Sequence, residues 1–347
     1  MFNKNNLINK SIFITLVLLI IFGSLAAAKQ YEGPVPENYN QAPELQKMVE
    51  AGELPPVEER LPVPEDIYVV EPEEEIGTYG GTLRTASTVP EGTGGDTLLS
   101  IFPNPVKPSA DLSEIVPHII KKLDNSADYK VWTMNLRKGM KWSDGNPFTT
   151  EDIMFWYEDV LNNKELTPVI GEPWKRIEKA EQIDEYTLAF YFETPQPFFA
   201  NELVHAGAWD FIMPKHFLKQ LHPQYRDEIT LKKLVEANDY DQWYELFGYK
   251  NGNIWGTPSR VDRPGLTPYI LESKSSDRRV YKRNPYYWKT DTEGNQLPYI
   301  DRITCDILSG GLEVIQGKIM SGDLDFAARN TDLQNYPMYR KYEEEGN

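Results

Sequence analysis

A single cysteine in 347 residues, Cys305, excludes an internal disulfide and any site built on several thiolates. Only four histidines occur, at 118, 205, 216 and 222, and no spacing among them sets two on one helical face, so no metal centre and no cofactor is expected. Basic side chains are outnumbered 53 to 36 by acidic ones, giving a formal charge of −17. That balance favours solubility and argues against nucleic acid, because neutralising phosphates takes clustered Lys and Arg and no such cluster is present. Enzyme signatures are missing as well: there is no G-x-S-x-G, no H-E-x-x-H and no phosphate loop with a Lys, and Gly92-Thr93-Gly94-Gly95 is too short to be one. No catalytic residue is assigned. A carboxylate pair across a cleft is the one enzymatic arrangement so acidic a chain leaves open, since glycoside hydrolysis needs only two Asp or Glu. With 53 acidic residues that is no signal, and solvated surface accounts for nearly all of them.

What is present begins with an export pattern. Lys4 and Lys10 precede an apolar run from Ile12 to Phe22, and Ala26-Ala27-Ala28 supplies small residues for cleavage, so residues 1–28 read as a signal peptide. The run is too short for a membrane span, which needs about 20 apolar residues. With no cysteine near the cleavage site, a free periplasmic protein with no membrane insertion after signal removal is expected. Residues 29–78 form a Pro- and Glu-rich arm in which Pro34, Pro36, Pro55, Pro56, Pro62, Pro64 and Pro72 forbid long regular elements. One short helix, Ala42 to Ala51, is predicted inside it, with Pro43 in the first turn and Gly52 as its stop. Leu45, Met48, Val49, Leu54 and Val57 would lie exposed on a free spacer, so the arm is expected to wrap on the main body.

The densest local information lies between Val131 and Asp152. Trp132, Met134 and Leu136 alternate with Thr133 and Asn135, the period of a half-buried strand. Lys138-Gly139 reads as a turn and Met140 to Trp142 as a short return segment. Ser143-Asp144-Gly145-Asn146-Pro147 is a turn cluster whose Asp side chain bonds N–H groups two residues on. A helix follows from Glu151 to Asn162, capped by Thr149 or Thr150, with Ile153, Tyr157, Val160 and Leu161 on one face. Further on, Tyr186, Leu188, Phe190 and Phe192 alternate as a core strand, Cys305 sits in a strand from Ile303 to Leu308, and Leu312, Ile315, Ile319 and Met320 mark a late helix stopped by Gly322.

The block Val131 to Asp152 closely resembles the signature region of the extracytoplasmic solute-binding proteins of family 5, the oligopeptide-binding type that serves ABC importers. Other blocks resemble the same family in the same order: Tyr79 to Arg84, Ile183 to Leu188, Gly265-Leu266-Thr267-Pro268-Tyr269, Arg283-Asn284-Pro285-Tyr286-Tyr287-Trp288, Leu297 to Asp301, and Ser321 to Asp325. Within these blocks Trp142 is expected to pack beneath its turn, Asp144 to organise it, and the Arg283 to Trp288 element to be a strand-exit turn with buried aromatics. They are scaffold rather than ligand contacts.

The resemblance implies an α/β, two-lobed periplasmic-binding-protein-like fold of the large, three-subdomain type. Residues 79–328 would be lobe one, with an inserted subdomain from about 97 to 195, and residues 329–347 the start of a truncated second lobe. It implies capture of an extended small solute, a peptide or alternatively an oligosaccharide, by a monomer that delivers it to ABC importer permease subunits. A periplasmic sensor or chaperone on the same fold, and a secreted carboxylate-pair hydrolase, are competing readings. Matching the family position by position offers ligand-binding candidates: Ser87, Thr88 and Val89 at the end of the first strand, Phe155 on the Glu151 helix, and Ala328 and Asn330 on a lobe-crossing strand from Phe326 to Asn330. Ala327 and Ala328 stand where peptide-binding members often carry larger side chains. Trp209, an aromatic in the small-residue stretch His205 to Asp210, is added because such a stretch can border a cavity.

Overall fold

Two separate four-stranded sheets organise the chain in the computed structural model, which describes residues 33–89, 104–204, 211–254, 257–328, 331 and 333–343. The predicted signal peptide, Trp209 and Asn330 lie outside the described residues. The arm supplies helices α1 (Pro43–Glu50) and α2 (Val57–Arg60) and strand β1 (Tyr68–Val70). Strands β2 (Thr82–Ser87), β3 (Val106–Pro108), β4 (Ile115–Pro117), β5 (Ile120–Asn125) and β6 (Val131–Leu136) lead to helix α3 (Thr150–Phe155). After β7 (Ile177–Asp184) and β8 (Thr187–Phe192) come α4 (Phe199–Val204), α5 (Lys215–Leu218), α6 (Glu228–Ala237) and α7 (Trp243–Asn251). Short strands β9 (Asn253–Ile254) and β10 (Thr257–Pro258) precede β11 (Tyr269–Lys274), β12 (Arg278–Arg283), β13 (Lys289–Asp291) and β14 (Arg302–Ile307), and helices α8 (Leu312–Met320) and α9 (Tyr336–Tyr342) follow.

One sheet has the order β5-β6-β8-β7, all antiparallel. Its inward residues Trp132, Met134, Leu136, Leu188, Phe190 and Phe192 are buried, as the alternation predicts. This core does not close at Pro195, because Phe199, Leu203, Phe211, Leu218, Leu231 and Phe247 join the same cluster. The other sheet has the order β11-β12-β14-β2, with β2 as an edge strand parallel to β14. Its core is small, built from Tyr269, Leu271, Tyr281 and Ile303. Cys305 is fully buried in β14.

The arm is ordered on the body. β1 pairs in parallel with β13, and Asn40 bridges Asn295. Arg60, fully buried, anchors it by donating to the carbonyl of Pro285 and, at 2.9 Å, to Gln296 Oε1. Of the apolar residues expected to drive this packing, Leu45 and Val57 are buried and Met48, Val49 and Leu54 partly so.

The motif blocks meet in space. Met140 to Trp142 does not return along β6; its partners are residues 146–148, through Trp142 N to Asn146 O at 2.8 Å and Phe148 N to Met140 O at 2.9 Å. The physical reason is that both edges of β6 are already taken, by β5 and β8. The resulting turn docks on two other blocks. Ser143 N donates to Gly265 O, and Gly265 N to Ser143 Oγ, both at 3.0 Å. Gly145, at φ +87°, takes a conformation that favours glycine, and a Cβ there would stand 2.8 Å from the Tyr286 hydroxyl. Asn284, fully buried, donates to Thr267 O at 2.9 Å, and the indole of Trp288 donates to Leu266 O at 3.2 Å. Blocks more than a hundred residues apart thus satisfy one another's buried polar groups, which makes them scaffold.

Helix α3 starts where its capping residues predict: Thr149 Oγ1 accepts from Glu151 N, and Asp152 closes the box back to Thr149 N at 3.1 Å. From Trp156 to Leu161 the turns widen to a π-helix, so the single α-helix expected from Glu151 to Asn162 is two segments.

Candidate functional site

The C-terminal end of β2 is the place where predicted site residues meet. The parallel register with β14 pairs Ile307 with Ser87, and Leu308 N donates to Ser87 O at 2.8 Å, so Ser87 faces its neighbour strand. Arg84 therefore has its backbone on the outer edge, where its N–H donates to Asp325 Oδ2 at 2.7 Å and its carbonyl accepts from Asp325 N at 2.9 Å. A guanidinium–carboxylate pair, Arg84 Nη2 to Asp325 Oδ1 at 2.6 Å, reinforces that edge. The hydrogen bond from Arg84 holds the Asp325 carboxyl below its usual range. The stretch that carries Ala328 thus leaves from alongside β2.

Beyond Arg84 the strand turns away from solvent and then emerges. Ser87 is fully buried, Thr88 is half-buried at a bend, and Val89 is 42% exposed. The bend is closed by Val89 N donating to Ser87 Oγ at 3.0 Å. Ser87 is therefore a backbone brace, and its hydroxyl is not disposed as a nucleophile.

The other candidates divide. Phe326 to Ala328 is not a strand, which corrects the expected lobe-crossing strand over its described part; Asp325 and Phe326 share the Arg84 carbonyl instead of starting a ladder. Ala327 and Ala328 are half-buried. Phe155 does not join this group. It is 1% exposed in the core of the β5-β6-β8-β7 sheet, its ring against His222, Tyr225 and Phe247, where the inward face of α3 carries it. Phe155 forms part of the floor of a recess of about 400 Å³ lined also by Glu151, Glu158, Lys215 and Tyr225, in which none of residues 87–89 takes part.

Two of the buried ionisable residues bear on this region. Arg279, 3% exposed on β12, donates to Val89 O at 3.0 Å. Its signal was available: in Arg278-Arg279-Val280-Tyr281-Lys282-Arg283 the residues in phase with the buried Tyr281 are Arg279 and Arg283. Asp152, 4% exposed, accepts N–H groups from Trp142, Thr149 and Lys215, and burial still pushes its carboxyl up to about 6. Asp144 organises its turn as predicted, accepting from Asn146 N at 3.2 Å, and its other oxygen meets His216 Nε2 at 2.8 Å. Among the described residues no group of three or more His, Cys, Asp or Glu is placed to hold a metal, and no helix is long and apolar enough to cross a membrane.

The sequence profile of the bacterial extracellular solute-binding proteins, family 5, matches residues 114–345. A periplasmic alpha-galactoside-binding protein of Rhizobium meliloti (strain 1021) is 30% identical over 303 residues, covering 80% of this chain and 40% of the relative. Among solved structures, an oligopeptide-binding protein OppA is 32% identical with a TM-score of 0.80, over 89% of this chain and 48% of that one. The periplasmic binding protein MelB of Agrobacterium fabrum C58, in complex with stachyose, is 26% identical with a TM-score of 0.68, over 90% of this chain and 46% of that one. The fold is that of the periplasmic binding proteins, and the chain spans less than half the length of each of these three relatives.

Proposed function

Because the chain belongs to the bacterial extracellular solute-binding proteins of family 5, we propose that it captures an extended small solute outside the cytoplasm and delivers it to the permease subunits of an ABC importer. Binding breaks no bond. The observation that carries the reading is the end of β2, an edge of backbone that emerges at Thr88 and is braced by the bond from Val89 N to Ser87 Oγ. Backbone presented in this way pairs with an extended ligand as an added strand would, or donates to sugar hydroxyls. Closure of a second lobe over the ligand would create the form that the importer recognises. The export pattern at residues 1–28 supports a periplasmic location.

Of the two ligand classes, oligosaccharide comes first. The relative named for alpha-galactosides and the neighbour solved with stachyose both favour it, and small Ala327 and Ala328 leave room for sugar rings. Peptide is the second reading, favoured by the likeness to OppA. Thermal-shift measurement with stachyose and with a mixed peptide pool separates them. A ligand that binds only the native state raises stability by about 2.7 kcal/mol at a hundredfold excess over Kd. Saturable stabilisation by stachyose alone is the expected result; stabilisation by the peptide pool alone would exchange the two readings.

A further inference from the structure

The bend at Thr88 is held from the middle of the sheet. Arg279 lies on β12 with β14 between it and β2, and its side chain reaches Val89, just beyond the C-terminal end of β2. The path runs over Cys305, directly opposite in the register, with Nη2 3.6 Å from Sγ. A small residue there lets the guanidinium pass. At the far end Nη1 donates to Val89 O at 3.0 Å, while Val89 N donates to Ser87 Oγ at 3.0 Å. Both backbone polar groups of Val89 are thus turned inward although the residue is 42% exposed. A buried guanidinium is tolerated only where it is hydrogen-bonded, so the bond fixes the bend as firmly as the bend satisfies the charge.

We propose that Arg279 is a positioning residue for ligand binding. By drawing the Val89 carbonyl inward it assigns the contact on this strand to the peptide and hydroxyl of Thr88 and sets their direction. The inference rests on the proposed use of the β2 edge. Lysine cannot replace it, because an ammonium on a shorter reach lacks the planar fork that serves Val89 O and the thiol side together.

Arg283→Met is the control. It removes another buried arginine in the same phase of β12, whose partners are Pro298 O, Tyr299 O and Asp301 at the opposite end of the sheet. Calorimetric titration uses stachyose and a nonapeptide pool, at a temperature where circular dichroism shows each variant folded. Loss of one well-placed hydrogen bond to the ligand corresponds to roughly a tenfold rise in Kd. That rise is expected for Arg279→Met and Arg279→Lys, with Arg283→Met within about twofold of wild type. If Arg279→Met does not fold, Ser87→Ala, which releases the Val89 N–H and removes the hydroxyl that donates to Val89 O at 3.3 Å, carries the test with an expected rise of roughly three- to tenfold. Unchanged affinity in these variants, or an equal loss in Arg283→Met, overturns the inference. A wild-type protein that binds neither probe overturns the proposed function, and this inference with it.

Discussion

The indole N–H of Trp142 donates to Asp152 Oδ2 at 3.2 Å, and this bond joins the turn at residues 143–147 to the helix that follows as one buried unit. The other oxygen of Asp152 accepts Lys215 N at 2.9 Å, which adds the start of α5. A single carboxylate therefore ties together three segments that the sequence presents as separate.

The first prediction is a pH dependence. Burial raises the folded-state value of Asp152 to about 6 from 3.8, so the folded protein holds that proton more tightly than the unfolded chain does. The resulting stability is fully present below the unfolded value and is lost as pH rises through about 6. At about 1.4 kcal/mol per pH unit the loss is roughly 3 kcal/mol. Asp152→Asn removes this titration. The stability of wild type relative to Asp152→Asn, measured by urea unfolding, is expected to fall by that order between pH 4 and 6.5; a constant difference would contradict it.

Trp142→Ala is expected to damage folding. Trp142 is 1% exposed, packs edge-on against Phe148 at 5.6 Å, and donates the indole bond to Asp152. Truncating a buried aromatic of this kind costs about 3–5 kcal/mol. Denaturant unfolding checks the loss. An unchanged melting temperature with lost ligand binding would make the residue a contact and not scaffold.

Arg60→Met tests the arm. Removing the guanidinium takes the donor from the buried Gln296 Oε1, while Pro285 O keeps Gln296 Nε2 at 3.0 Å, at a cost of about 1–3 kcal/mol for the unsatisfied oxygen. The expected outcome is faster limited proteolysis within residues 33–78, with the two four-stranded sheets still protected. Wild-type cleavage rates would show that the β1–β13 pairing alone holds the arm.

Much of the scaffold was legible because its signals are local. The alternation in β6 and β8, the Thr149 cap, the Asp144 turn and the Gly322 stop each depend on neighbours within a few residues. The site was less legible because it is assembled from afar. Val89 meets Arg279 across 190 residues, and no spacing rule reports a parallel pairing between β2 and β14. Arg279 was missed because a charged residue reads as solvated, whereas it reaches a carbonyl; Asp152, legible as negative charge in the first turn of the helix, also collects three N–H groups in the core. Phe155, an aromatic offered as a ligand-binding candidate, is carried by the helix into the core, at the floor of a recess apart from residues 87–89. The π-helical turn after it leaves no trace in the apolar period, since Val160 and Leu161 are buried in either geometry.

The central claim is that the protein binds an extended solute and returns it unchanged. The direct measurement is calorimetric titration with stachyose and with the peptide pool, followed by release of the bound fraction and its mass analysis. The account predicts saturable binding of one ligand per chain to one of the two, with the released ligand chemically intact. Cleaved ligand, or no binding to either, would contradict it.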